Sequence, residues 1–92
     1  MKKKNILYLK NKEVDKKEVL NQVQEIFRDQ LDNEYLVLKS ETTAMDVEEW
    51  DSLNHLILVV AIEKHFNIKL TSKEIISIKN IGDLVNFIEG KI

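Results

Sequence analysis

Ninety-two residues form one small domain with room for a single modest core. The chain has no cysteine, which excludes a disulfide scaffold, a thiolate metal site and a cysteine nucleophile, so any thiol chemistry must use a thiol brought in from outside. The net charge of −2 conceals an uneven distribution: five lysines and no acid in residues 1–12, twelve acids against four basic residues in 13–51, and four acids against five lysines in 52–92.

The acidic middle disfavours a phosphate backbone as partner and favours basic proteins. With no proline, two glycines and a wealth of Leu, Ile, Val, Glu and Lys, the composition predicts an all-α chain. Residues 1–12 read as a lysine-rich extension and 13–92 as one domain. The apolar stretch behind the first lysines, Ile6 to Leu9, is short and lacks a cleavage site, so the expected compartment is the cytoplasm. The longest apolar run, Leu56 to Ile62, is too short to span a bilayer.

In chain order, the first helix begins at Asp15, where Asp15 and Glu18 have capping-box spacing and Val14 and Val19 flank them as a hydrophobic staple. Its apolar stripe is Val19, Leu20, Val23, Ile26, Phe27 and Leu31, and it ends near Leu31-Asp32-Asn33. The segment from Asp32 to Asp51 is a long connection, and connections of that length in small domains are often functional. Leu36, Leu38, Met45, Val47 and Trp50 are its expected anchors. Tyr35 to Leu38 has some extended character, but a lone strand has no partner here, so loop is the expectation.

The second helix runs from Ser52 to Phe66. Leu53, Leu56, Ile57, Val60 and Ala61 form one face, and Leu58, Val59 and Ile62 widen it almost all round, which predicts a central position in the bundle. Lys64 and His65 suit its last turn, and Asn67 suits a left-handed C-terminal cap. A short third helix starts at Thr71, with Glu74 completing a capping box and Leu70 and Ile75 forming a staple. The fourth starts near Asn80, carries Leu84, Val85, Phe87 and Ile88 on its apolar face, and is expected to stop at Gly90. The predicted architecture is a small four-helix bundle, three main helices plus one short one, with a long loop between the first and second. Its expected core is Leu20, Val23, Phe27, Leu56, Val60, Phe66, Leu84 and Phe87.

The stretch Glu48-Glu49-Trp50-Asp51-Ser52-Leu53-Asn54-His55-Leu56 carries the chemistry. Asp and Ser are both common N-caps, and one helix start needs one cap. If Asp51 caps, the Ser52 hydroxyl is free. The start of a helix also favours a phosphate, because unpaired amides and the positive dipole end face it. His55 and His65 are out of register for one helix face and have no ligand cluster beside them, so no metal site is expected.

Asp51-Ser52-Leu53 resembles the modification motif of acyl and peptidyl carrier proteins. The similarity extends over roughly residues 13–90 and takes in Thr42-Thr43-Ala44-Met45-Asp46-Val47, Glu63-Lys64-His65-Phe66-Asn67-Ile68 and Asn80-Ile81-Gly82-Asp83-Leu84. What the resemblance implies is a carrier and not an enzyme. A separate phosphopantetheinyl transferase would attach 4'-phosphopantetheine from coenzyme A to Ser52, with Asp51 and Leu53 as motif flanks and Asp51 read by the transferase's basic surface. The arm's thiol would hold acyl groups as thioesters for acyl-loading and acyl-transferring enzymes. No nucleic acid or membrane partner is implied, and the chain is expected to be a monomer.

Fatty-acid carriers usually show partners a strongly acidic second helix. Here that helix offers Glu63, beside Lys64, whereas the loop before it offers Glu41, Asp46, Glu48, Glu49 and Asp51. This predicts partner recognition through Glu41, Asp46, Glu48 and Glu49, and a specialised biosynthetic pathway. A peptidyl or aminoacyl carrier stays open as an alternative. So does a helical interaction module with a coincidental Asp-Ser-Leu, although the acidic middle argues against DNA.

Overall fold

The computed structural model describes residues 15–92, with side chains from Lys16 onward. The extension at 1–12, the Asp15 capping box and the Val14–Val19 staple lie outside the described residues. Four helices follow in order: α1 at Asp15–Gln30, α2 at Ser52–Phe66, α3 at Ser72–Ser77 and α4 at Ile81–Lys91. Among the described residues there is no strand, and no helix is long and apolar enough to cross a membrane.

The stripe on α1 repeats every fourth residue, so Val19, Val23, Phe27 and Leu31 stack on one face and are buried. Leu20 and Ile26 flank them, partly buried. The chain leaves the helix at Asp32, which takes a left-handed φ of 54°, and the Asn33 amide closes the end by donating to Arg28 O at 3.0 Å. α1 is the central element and packs against both α4 and α2.

α2 departs from the expected arrangement. Its buried residues are Leu58, Val59 and Ile62, while Leu56 and Val60, both expected in the core, are 55% and 53% exposed. Leu53 and Ile57 are exposed beside them. A helix apolar nearly all round has no single stripe, so its periodicity cannot select the face that packs. The selection is made by α1, which covers one side only. Phe66 and Phe87, also expected in the core, are partly buried against it.

The ends of α2 follow local chemistry. Asn67 is left-handed at φ 56°, and its amide donates to Glu63 O. The Glu63 carboxylate accepts the Leu70 amide at 2.8 Å and so fixes the turn into α3. Thr71 and Glu74 form the expected capping box on α3. The Thr71 amide, bonded to the Glu74 carboxylate, is the main reason why that carboxyl titrates below its ordinary range; Lys91, 3.2 Å away, lowers it further. α4 is capped by Asn80, which accepts the Asp83 amide at 2.8 Å. It runs through Gly90 to Lys91 rather than stopping at the glycine. Gly90 has open space around it, and nothing there calls for a left-handed turn.

The long loop is a chain of turns with no extended ladder. Two α1 side chains hold its first half: Arg28 Nε donates to Leu36 O at 2.7 Å, and Gln24 Oε1 accepts the Leu38 amide at 2.8 Å. Leu38, Val47 and Trp50 are buried anchors and Leu36 is partly buried. Met45, expected among them, is 93% exposed. The loop also bonds to the start of α4, where the Ile81 and Gly82 amides donate to Thr42 O and Ser40 O at 2.9 and 2.8 Å. Those two amides belong to a helix's first turn and have no partner within the helix, so the loop carbonyls complete them.

Candidate functional site

The site is built around the start of α2. Asp51 is the cap, and its Oδ1 accepts the Asn54 amide at 2.9 Å. That assignment makes Ser52 the first helical residue and leaves it exposed. Among the described residues, neither its hydroxyl nor the amides of Ser52 and Leu53 make a hydrogen bond. A serine hydroxyl and two open amides at a helix start form a place where a covalently attached phosphate can be held.

The approach to Ser52 is held by side-chain contacts on both sides of the cap. Asn54 Nδ2 donates to Glu49 O at 2.8 Å and locks the loop end to the first turn of α2. Trp50, buried just before the cap, sets its ring edge-to-face against Phe27 of α1 at 5.2 Å between centroids. Its indole N–H donates to His55 Nδ1 at 2.9 Å, and His55 Nε2 lies 3.1 Å from Ile75 O on α3. Beside Ser52 an open cleft of about 570 Å³ runs between α2 and α3. Ala44, His55, Leu56, Ile75, Ile76 and Lys79 form much of its wall.

The acids divide by role. Glu41 and Glu48 are exposed and Glu49 is half-buried. Asp46 is exposed, but its carboxylate accepts the Thr43 amide and hydroxyl at 2.9 and 3.2 Å, so it also holds a turn. The first turn of α2 holds no acid, and Glu63 is committed to Leu70. The structure thus places Asp51, Ser52 and Leu53 together at one exposed helix start, with the loop acids on the chain leading into it. Among the described residues no group of three or more His, Cys, Asp or Glu side chains could hold a metal.

Reading the sequence alone missed two parts of this site. The sequence expectation places Leu56 and Val60 of the exposed α2 face in the core, although the helix's all-round hydrophobicity is itself the signal that one side is left over. The link from Trp50 through His55 to α3 had no signal in spacing, because it joins residues from three separate elements.

Comparison with known proteins bears on the family. The family model for the phosphopantetheine attachment site matches residues 21–88. The acyl carrier protein of Clostridium acetobutylicum is 32% identical over 72 residues, covering 78% of this chain and 94% of the relative. The chain belongs to the acyl carrier protein family. The acyl carrier protein of Prochlorococcus marinus is 33% identical over 78 residues, covering 85% of this chain and 98% of its own. The solution structure of the holo acyl carrier protein from Geobacter metallireducens superposes with a TM-score of 0.75 at 40% identity, over 79% of this chain and 84% of that one. An acyl carrier protein is a carrier and not a catalyst, and its group is a covalently held 4'-phosphopantetheine. Its partners as a family are a phosphopantetheinyl transferase and the enzymes that load and use the acyl group.

Proposed function

We propose that Ser52 is the arm-bearing residue. On this reading the chain holds acyl intermediates as thioesters on that arm, for the enzymes of a specialised biosynthetic pathway, as a cytoplasmic monomer. The observation that carries the assignment is the capping arrangement: Asp51 takes the cap, so the Ser52 hydroxyl is exposed and uncommitted at an open helix start. No base needs to activate this serine within the chain, because the transferase supplies that chemistry. The chain's own contribution is to present the hydroxyl on a rigid first turn and to leave amides free for the phosphate.

Glu41, Asp46, Glu48 and Glu49 form the charged approach for basic partners, and Asp51 is the acid that the transferase meets next to the serine. Recognition through the loop, and not through an acidic second helix, is the reason for placing this carrier in a specialised pathway.

The assignment is tested by intact-protein mass spectrometry after incubation with a broad-specificity transferase and coenzyme A. One phosphopantetheine adduct is expected on the native chain and none on Ser52→Ala. An adduct on Ser52→Ala overturns it.

A further inference from the structure

His55 sits between two partners that leave it no choice of proton. The indole N–H of Trp50 can only donate, so His55 Nδ1, at 2.9 Å, must be bare. The Ile75 carbonyl can only accept, so His55 Nε2, at 3.1 Å, must carry the hydrogen. One neutral tautomer satisfies both bonds. The imidazolium satisfies only one, because its Nδ1–H would face the indole N–H, donor against donor.

The position of the link gives this constraint a consequence. Trp50 anchors the loop end against Phe27 of α1, His55 lies one turn beyond Ser52, and Ile75 belongs to a six-residue helix with no buried residue of its own. The last carbonyls of α3 have no partner within the helix. Ser77 Oγ satisfies Glu74 O, and His55 satisfies Ile75 O. Trp50, His55 and Ile75 all line the cleft beside Ser52.

We propose that His55 is a proton-sensitive tie: neutral, it holds the loop end and α3 to the start of α2, and protonation at Nδ1 releases Trp50 and loosens the cleft next to Ser52. The charged side chains that share this cleft are Asp51, from the end of the loop, and Lys79, beyond α3. Glu74, adjacent to Ile75, is occupied by the Thr71 amide and Lys91, and α1 meets the Trp50 side of the link with apolar Phe27. The other histidine of the chain, His65, meets Gln22 at 2.6 Å on a separate face and serves as an internal control.

The test is a nitrogen-15 NMR titration of the whole chain from about pH 8 to about pH 5, the range in which imidazole changes charge. At the neutral end the His55 ring should carry its hydrogen on Nε2. Through the titration the Trp50 indole N–H and the amides of Ile75 to Ser77 should move with the same midpoint as the His55 ring, and the indole proton should lose its hydrogen-bonded position. In His55→Phe these coupled movements should vanish while those around His65 persist. The native titration decides the matter even if that variant fails to fold. A His55 ring protonated on Nδ1 at neutral pH overturns the proposal. So does a ring that titrates while the indole and α3 signals stay still, or one that stays neutral to pH 5.

Discussion

Gly82 lies where the start of α4 meets the loop that leads to Ser52. Its amide reaches Ser40 O at 2.8 Å, and a Cβ there would stand 3.2 Å from that carbonyl and 3.2 Å from Asn80 Oδ1. Two effects oppose each other in Gly82→Ala. Alanine is the better helix former by up to about 1 kcal/mol, whereas crowding a backbone carbonyl held by two neighbouring bonds costs about 1–3 kcal/mol. The second should win, because the Ser40 oxygen cannot withdraw without lengthening its bond to the Gly82 amide. Urea unfolding should therefore show a net loss on the order of 1 kcal/mol, and a variant as stable as the native chain would mean that the loop gives way freely. At Gly90, where there is open space, Ala should have the opposite sign. At this scale the Asp51 cap and the exposed Ser52 beside it were legible, since Asp51-Ser52-Leu53 is contiguous and cap chemistry is local. His55 was not, since its two partners come from the loop and from α3.

The element that repays comparison is α2. Its limits, its aspartate cap and its left-handed Asn67 end all follow from residues within a turn of each other, as do the capping box at Thr71 and the cap at Asn80. Which side of α2 packs does not follow, because that is decided by a helix some thirty residues upstream. Likewise Met45 and Val47 are both apolar loop residues, yet Met45 points away and Val47 is buried; only the turn that Asp46 fixes between Thr43 and itself tells them apart. The consequence is measurable. Phe27→Ala removes a ring that is 1% exposed, touching Trp50, and should cost about 3–5 kcal/mol. Val60→Ala, on the open face, should change stability by no more than about 0.5 kcal/mol. Urea midpoints at constant slope compare the two, and equal losses would put the core on the wrong side of α2.

For the whole molecule, the arrangement is an acidic loop running up to Ser52 and an apolar helix face running away from it. On the proposed reading, long-range charge attraction from the loop should raise encounter rates with basic partners, and salt should weaken it, since charges are screened beyond a Debye length of about 10 Å at 0.1 M. Because single exposed charges contribute little, the informative variant changes Glu41, Glu48 and Glu49 to glutamine together. Asp46 is left alone, because its carboxylate holds the Thr43 turn, and Glu63 makes a poor control, because its carboxylate holds Leu70. Stopped-flow association with the transferase should slow at low ionic strength, and the difference should close as salt is added. An unchanged rate at low salt would remove the loop from recognition. Trp50 has a use that goes beyond holding the loop. It is the only tryptophan in the chain, buried two residues before the serine, so the unlabelled protein has a single indole fluorophore beside the site. On the proposed reading, arm addition, cargo loading and partner docking at Ser52 should each change its emission, with no dye and no substitution.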